Sequence, residues 1–161
     1  MKHLFLLLLC VPVMVWGQGS SELPYMLKDT WATNAFGFPM NVKIFKKTFG
    51  DILTPSMKLV RNKYDSTQID TAYSFTKGRT KIEIYHTATK DMVQSAFIEN
   101  EKIKLRNGIQ IGLTNPEVEK ALNIKITSDK FQVGDIDHRQ VYQFNFLKEK
   151  LILITFEGFL E

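Results

Sequence analysis

Gly108-Ile-Gln-Ile-Gly-Leu-Thr-Asn-Pro-Glu-Val-Glu-Lys-Ala-Leu-Asn123 is the stretch on which the fold turns. Ile109 and Ile111 alternate with Gln110, as in a half-buried strand, and Gly112 permits a sharp change of direction. A short helix is expected next. Asn115 is read as its N-cap, because a residue before proline is pushed out of the α region and Pro116 suits the first helical position. Glu117 and Glu119 complement the first-turn N–H groups. Val118, Ala121 and Leu122 form one apolar stripe, and Asn123 tolerates the left-handed conformation that ends a helix.

A second helix is expected over Asn41 to Gly50, with Asn41 as cap and Gly50 as the residue just past the end. Val42, Phe45 and Phe49 share one face with Ile44 beside it. The β-branched Val42, Ile44 and Thr48 make this helix weak in isolation, so packing must hold it.

Between and after the helices the period changes to two. Strands are expected over Met57 to Tyr64, Thr71 to Phe75, Thr80 to His86 and Val93 to Glu99, then Lys130 to Val133, Gln140 to Leu147 and Leu151 to Phe156. Ile82 and Ile84 alternate with Glu83 and Tyr85, so one face is buried and one wet. Tyr142, Phe144 and Phe146 share one side of their strand, and Lys148-Glu-Lys150 reads as a tight hairpin. Strands joined by turns without intervening helices point to an antiparallel meander and an α+β class, with short helices packed on an antiparallel sheet.

Two halves can be overlaid. Met40 to Gly50 matches Thr114 to Asn123 in type, and each is followed by a Tyr-x-Phe strand, Tyr73-Ser-Phe75 and Tyr142-Gln-Phe144. A tandem helix-plus-meander repeat is therefore expected, with a leader over 1–17, an N-terminal segment over 18–37, and repeats over 38–106 and 107–161. The run from Gly108 to Leu122, followed by Tyr142-Gln-Phe-Asn-Phe146 and Lys150-Leu-Ile-Leu-Ile154, resembles the β-lactamase-inhibitor-protein-like module, a unit shared with the small outer-membrane assembly lipoproteins. That resemblance implies an extracytoplasmic module presenting a sheet face and its loops to another macromolecule. The inhibitors commonly carry disulfides and the assembly proteins a lipidated cysteine, so neither specific activity follows from it.

Met1-Lys-His3 followed by the apolar run Leu4 to Trp16 reads as a secretory signal peptide. The run is shorter than the roughly 20 apolar residues that cross a bilayer, and Pro12 interrupts it, so no stable span is expected after cleavage. Cys10 is the single cysteine and is preceded by Leu9 rather than a small residue, which disfavours lipidation. Cleavage after Gly17 leaves roughly 140 residues to hold together by core burial without disulfides. Residues 18–24 suit a tether, and Trp31, Phe36 and Phe38 are expected to pack over a sheet edge. The 21 Lys and Arg are scattered among 17 Asp and Glu, without the one-sign block that nucleic acid demands. The setting expected is a bacterial periplasm or exterior.

Catalytic chemistry finds little footing. Asp135, Asp137 and His138, with His86, could be imagined around a metal, yet Gly-Asp-x-Asp before a strand is ordinary turn chemistry. No Gly-x-Ser-x-Gly elbow, phosphate loop or nucleophilic cysteine is present, and Asp70, Glu83, Glu99 and Glu101 read as a solvated face. No enzyme activity, cofactor or metal is expected. Binding needs only anchors with an apolar body and a polar tip, and Tyr64, Tyr73, Tyr85 and Tyr142 are the partner-binding candidates. The function expected is a secreted, non-catalytic protein-binding module of inhibitor, immunity or envelope-scaffold type. A carrier or sensor of a small apolar ligand and a hydrolase of envelope polymers are the alternatives.

Overall fold

The computed structural model describes residues 23–158, so the expected leader, Cys10 and the tether up to Glu22 lie outside the described residues. The described residues form eight strands: β1 (Tyr25–Leu27), β2 (Thr54–Arg61), β3 (Ile69–Lys77), β4 (Thr80–His86), β5 (Asp91–Ile98), β6 (Lys130–Gly134), β7 (Gln140–Leu147) and β8 (Lys150–Gly158). They form one sheet in the order β1-β6-β7-β8-β5-β4-β3-β2. All neighbours are antiparallel except β1 and β6, which run parallel. β2 to β5 is one meander and β6 to β8 another, and β5 against β8 joins them into a continuous surface. The class is α+β, dominated by sheet.

Among the described residues, α1 (Asp29–Ala32), α2 (Val42–Phe49) and α3 (Asn115–Leu122) are the α-helices. α2 forms where its apolar spacing placed it. Asn41 Oδ1 accepts the N–H groups of Lys43 (2.9 Å) and Ile44 (3.2 Å), and Val42, Phe45 and Phe49 are buried while Ile44 is exposed. Gly50 ends the helix in right-handed conformation, so its left-handed freedom goes unused. In α3 the cap lies one residue earlier than expected. Asn115 is the first helical residue, and the Glu117 carboxylate accepts both the N–H (2.7 Å) and the hydroxyl (2.8 Å) of Thr114. Asn123 closes the helix with φ 51°, and Gly112 turns the chain with φ 95°. Ile109 and Ile111 do not form a strand. They follow a 3₁₀ turn over Arg106–Gly108, and Ile109 is held in the core by its side chain.

The helices cover one face of the sheet only. Phe45 sits 4.6 Å from Phe75 between ring centroids, and Phe75 opposes Ile82 in the ladder, so α2 packs on the face built by Phe75, Ile82 and Ile84. Val118 and Leu122 of α3 enter the same core. The N-terminal segment belongs to this core rather than lying beside it. Trp31 packs edge-on against Tyr142 at 5.1 Å, Phe36 against Phe45 at 5.4 Å, and Tyr25 to Leu27 pair with Gln132 to Gly134. Chain closure is therefore made by residues far apart in sequence, and the boundary expected near residue 106 is no break in the sheet.

Candidate functional site

The face of β2 to β5 turned away from the helices is open, and its side chains are those that alternate with the core. Ser56, Lys58 and Val60 of β2, Ala72 and Ser74 of β3, and Glu83 and Tyr85 of β4 lie on it, with Met92 and Gln94 of β5. Glu83 opposes Ser95 while Ile84 opposes Val93, which leaves Gln94 as an extra residue in β5. Such a bulge bends its strand and sharpens the local twist. The face encloses a cleft of about 650 Å³.

Two short loops wall the cleft, and each is held by its own side chains. In the β2–β3 loop, Asn62 Oδ1 accepts the N–H groups of Tyr64 (2.8 Å) and Asp65 (2.9 Å). Asp65 in turn accepts the hydroxyl (2.6 Å) and N–H (3.0 Å) of Thr67, and the Thr67 hydroxyl leads the donors that hold this carboxyl below its ordinary range. In the β4–β5 turn, Thr87 Oγ1 accepts the N–H groups of Thr89 (3.2 Å) and Lys90 (3.0 Å). These local bonds fix the rim by ordering it within the chain itself.

The carboxylates near the cleft are engaged with neighbours. Glu83 bonds Lys81 Nζ at 2.7 Å and accepts the Ser95 hydroxyl at 2.8 Å, and the Lys81 bond is the main cause that holds Glu83 below its ordinary value. Asp70 is buried on the same face. Its Oδ2 accepts Asn62 Nδ2 at 2.6 Å and the Tyr85 hydroxyl at 2.7 Å, and the bond to Asp70 raises the Tyr85 phenol above its ordinary value. Glu99 pairs with Arg79 at 3.2 Å, and Glu101 is exposed in the loop after β5. The cleft also carries Lys58, Arg61, Lys63 and Lys90, so its surplus charge is positive.

The four candidate tyrosines divide between the two faces. Tyr64 and Tyr85 line the cleft, Tyr64 with 68% of its surface exposed. Tyr73 is half-buried on the helix side, with the Lys46 ammonium 4.5 Å above its ring. Tyr142 is a core residue, 2% exposed beneath Trp31, with its phenol pushed far up by burial, and it offers nothing to a partner. Its correction was written in the sequence: Tyr142 has the parity of Phe144, whereas Tyr85 has the parity opposite to Ile82 and Ile84. Residues the tyrosine criterion missed include Lys58, Val60, Met92 and Gln94. Alternation signals the first two, while the bulge that places Gln94 had no sequence mark.

The imagined metal cluster resolves into turn and packing roles. Asp135 Oδ1 accepts the N–H groups of Arg139 (2.8 Å) and Gln140 (3.0 Å), and His138 stacks on Tyr25 with centroids 4.2 Å apart. His86 is distant in the fold, with Nδ1 against Asp91 Oδ1, while Asp91 Oδ2 accepts the Val42 N–H at 2.7 Å at the start of α2. Among the described residues no group of His, Cys, Asp and Glu is arranged to hold a metal ion, and no helix is long and apolar enough to cross a membrane. No family model matches the chain, and no curated protein or solved structure is significantly similar to it.

Proposed function

We propose that this chain is an exported, non-catalytic binding module that grips a protein partner with the open face of β2 to β5 and the loops around it. The observation that carries this reading is the cleft. It lies on the one sheet face that the helices leave bare, it has a preordered rim, and its carboxylates are tied to Lys81, Ser95, Asn62 and Tyr85 rather than gathered around a vacant reaction centre. Tyr64 and Tyr85 supply rings, Val60 and Met92 an apolar floor, and the lysines a polar border, which is the composition of a contact surface. The Met1 to Trp16 run supports export, placing the partner in the envelope or outside the cell. We read α2 with β2 to β5, and α3 with β6 to β8, as the two members of a tandem repeat of the inhibitor-like module.

A second reading has one observation in its favour. A cleft of about 650 Å³ falls within the range that holds a small molecule, so a carrier of an apolar ligand fits the same place. Capture from an envelope extract separates the two. The protein and its Val60→Glu and Met92→Lys variants are compared with Lys125→Glu, a change in the exposed loop after α3. A protein partner retained by Lys125→Glu and lost by both cleft variants, each still folded by circular dichroism, supports the binding module. A small ligand found by native mass spectrometry and lost by the same variants moves the function to the carrier. Identical capture by all four proteins refutes the site.

A further inference from the structure

The cleft is bounded on one side by β2, the last strand of the sheet, and no other described strand pairs with its outer edge. β2 pairs only with β3 among the described residues, over its full length from Thr54 opposite Thr76 to Arg61 opposite Ile69. The Asn62 N–H donates to Gln68 C=O at 3.0 Å, immediately beyond the last rung. Antiparallel ladders alternate bonded and non-bonded rungs, so the N–H and C=O groups of Met57, Leu59 and Arg61 point away from β3 to the free edge. Pro55 is next in that series, where its missing N–H costs the sheet nothing. The side chains add to this. Met57, Leu59 and Ile69 are 68, 72 and 59% exposed, an apolar strip on the helix side of the edge that α2 does not reach.

A long, exposed strand with outward backbone groups and apolar side chains is a template for another strand. The charge around it selects what that strand can be. β2 carries Lys58 and Arg61 and no carboxylate, Lys63 follows at once, and Lys46 and Lys47 end the nearby α2. Pairing β2 with β2 of a second copy would double that positive charge and bring no carboxylate on either paired strand, and like charges across a ladder are unfavourable. The opposite edge, β1, is only three residues long and cannot pair with β2 of another copy over its length.

We propose that β2 is the docking edge for an extended acidic segment of the protein partner, which joins the sheet as an added strand. In that arrangement alternate residues of the segment divide between the two faces. Apolar ones lie beside Met57 and Leu59, and carboxylates lie beside Lys58 at the mouth of the cleft. This rests on the protein-binding reading of the cleft and adds the chemistry of the partner.

A random-sequence peptide library selected on the immobilised protein tests it, with an enriched peptide then titrated by fluorescence anisotropy and mapped by amide hydrogen exchange. The expected peptides alternate Asp or Glu with apolar residues, and their binding slows exchange at the amides of Met57, Leu59 and Arg61. Leu59→Pro removes an outward N–H without touching the β2–β3 bonds and should abolish binding. Lys58→Glu should weaken it about tenfold, and a peptide with Lys in place of its acids should recover binding to that variant. If Leu59→Pro does not fold, the exchange map and the Lys58→Glu charge swap decide alone. Neutral or basic peptides, no enrichment at all, or a dimer of the protein that Leu59→Pro dissolves would each overturn the acidic-strand proposal. Protection of Tyr85 and Met92 with the β2 edge amides unchanged would overturn it too, while leaving the cleft itself standing as the binding site.

Discussion

Replacing Tyr85 by Phe removes a single hydroxyl from the cleft and leaves the ring. That hydroxyl donates to Asp70 Oδ2 at 2.7 Å, and the same oxygen accepts Asn62 Nδ2 at 2.6 Å. Asp70 is only 3% exposed, so it depends on these donors rather than on bulk water. A hydrogen bond to a charged group contributes about 1.5–3 kcal/mol. Tyr85 is itself half-buried in an open cleft, where a water can enter the space left by the hydroxyl, which places the expected loss near the lower end, about 1.5 kcal/mol. Urea unfolding followed by fluorescence of the buried Trp31 should show a lower midpoint with an unchanged slope. In an Asp70→Asn background the penalty should fall by about half, because a neutral acceptor binds a hydroxyl about half as strongly as a charged one. The pH dependence has a definite sign. Tyr85 is raised from 10.0, so its contribution is complete below that value and is lost as pH rises through the folded-state value, a loss that Tyr85→Phe should lack. Binding at the cleft should change little in Tyr85→Phe and much more in Tyr85→Ala, since the hydroxyl is committed to Asp70 and only the ring is presented. A destabilisation under about 0.5 kcal/mol, the scatter of ordinary surface changes, or an equal loss in the parent and in the Asp70→Asn background, would show that the hydroxyl does not act through Asp70.

Two further predictions concern the helices. Phe45 is fully buried among Phe36, Phe49 and Phe75, so Phe45→Ala should cost about 3–5 kcal/mol, whereas Ile44→Ala, at a position 42% exposed, should cost under about 1 kcal/mol; equal losses in urea would contradict the orientation of α2. The Thr114 backbone N–H chiefly, and its hydroxyl next, hold Glu117 below its ordinary 4.5, so this cap supports the fold above that pH and fails as pH falls through the folded value. Glu117→Gln should therefore show a smaller shift in urea midpoint between about pH 7 and about pH 3 than the parent protein, and an identical shift would remove the cap from the acid response.

Much of this molecule is written locally. Val42, Phe45 and Phe49 name the buried face of α2, and Ile82 and Ile84 against Glu83 and Tyr85 name both faces of β4. The expected hairpin between β7 and β8 forms with Lys148 and Glu149 as its turn, both with positive φ, and Lys150 already pairs with Leu147. Each of these is set by neighbours within a few residues, so period and turn chemistry suffice to read it. The same rule applied to Tyr142 and Tyr73 would have assigned them to the helix side, away from Tyr85. Residue type alone marks all four tyrosines as anchors, and parity divides them between the faces.

Other features are decided only when distant segments meet. Tyr25 to Leu27 carry no periodic signal and become a strand because Gln132 to Gly134 offer an edge more than a hundred residues later. Asn115 yields the cap of α3 to Thr114 because the Glu117 carboxylate satisfies Thr114 at two atoms, outweighing the preference of a residue before proline. The order of strands, and with it the exposure of β2, depends on β5 meeting β8. Alternation along the chain determines which side chains seek cover, but the cover itself is supplied by long-range pairing and helix docking. That is why the amino-acid sequence alone named the inward residues, whereas the bare face, its cleft and its free edge came into view only with the assembled sheet.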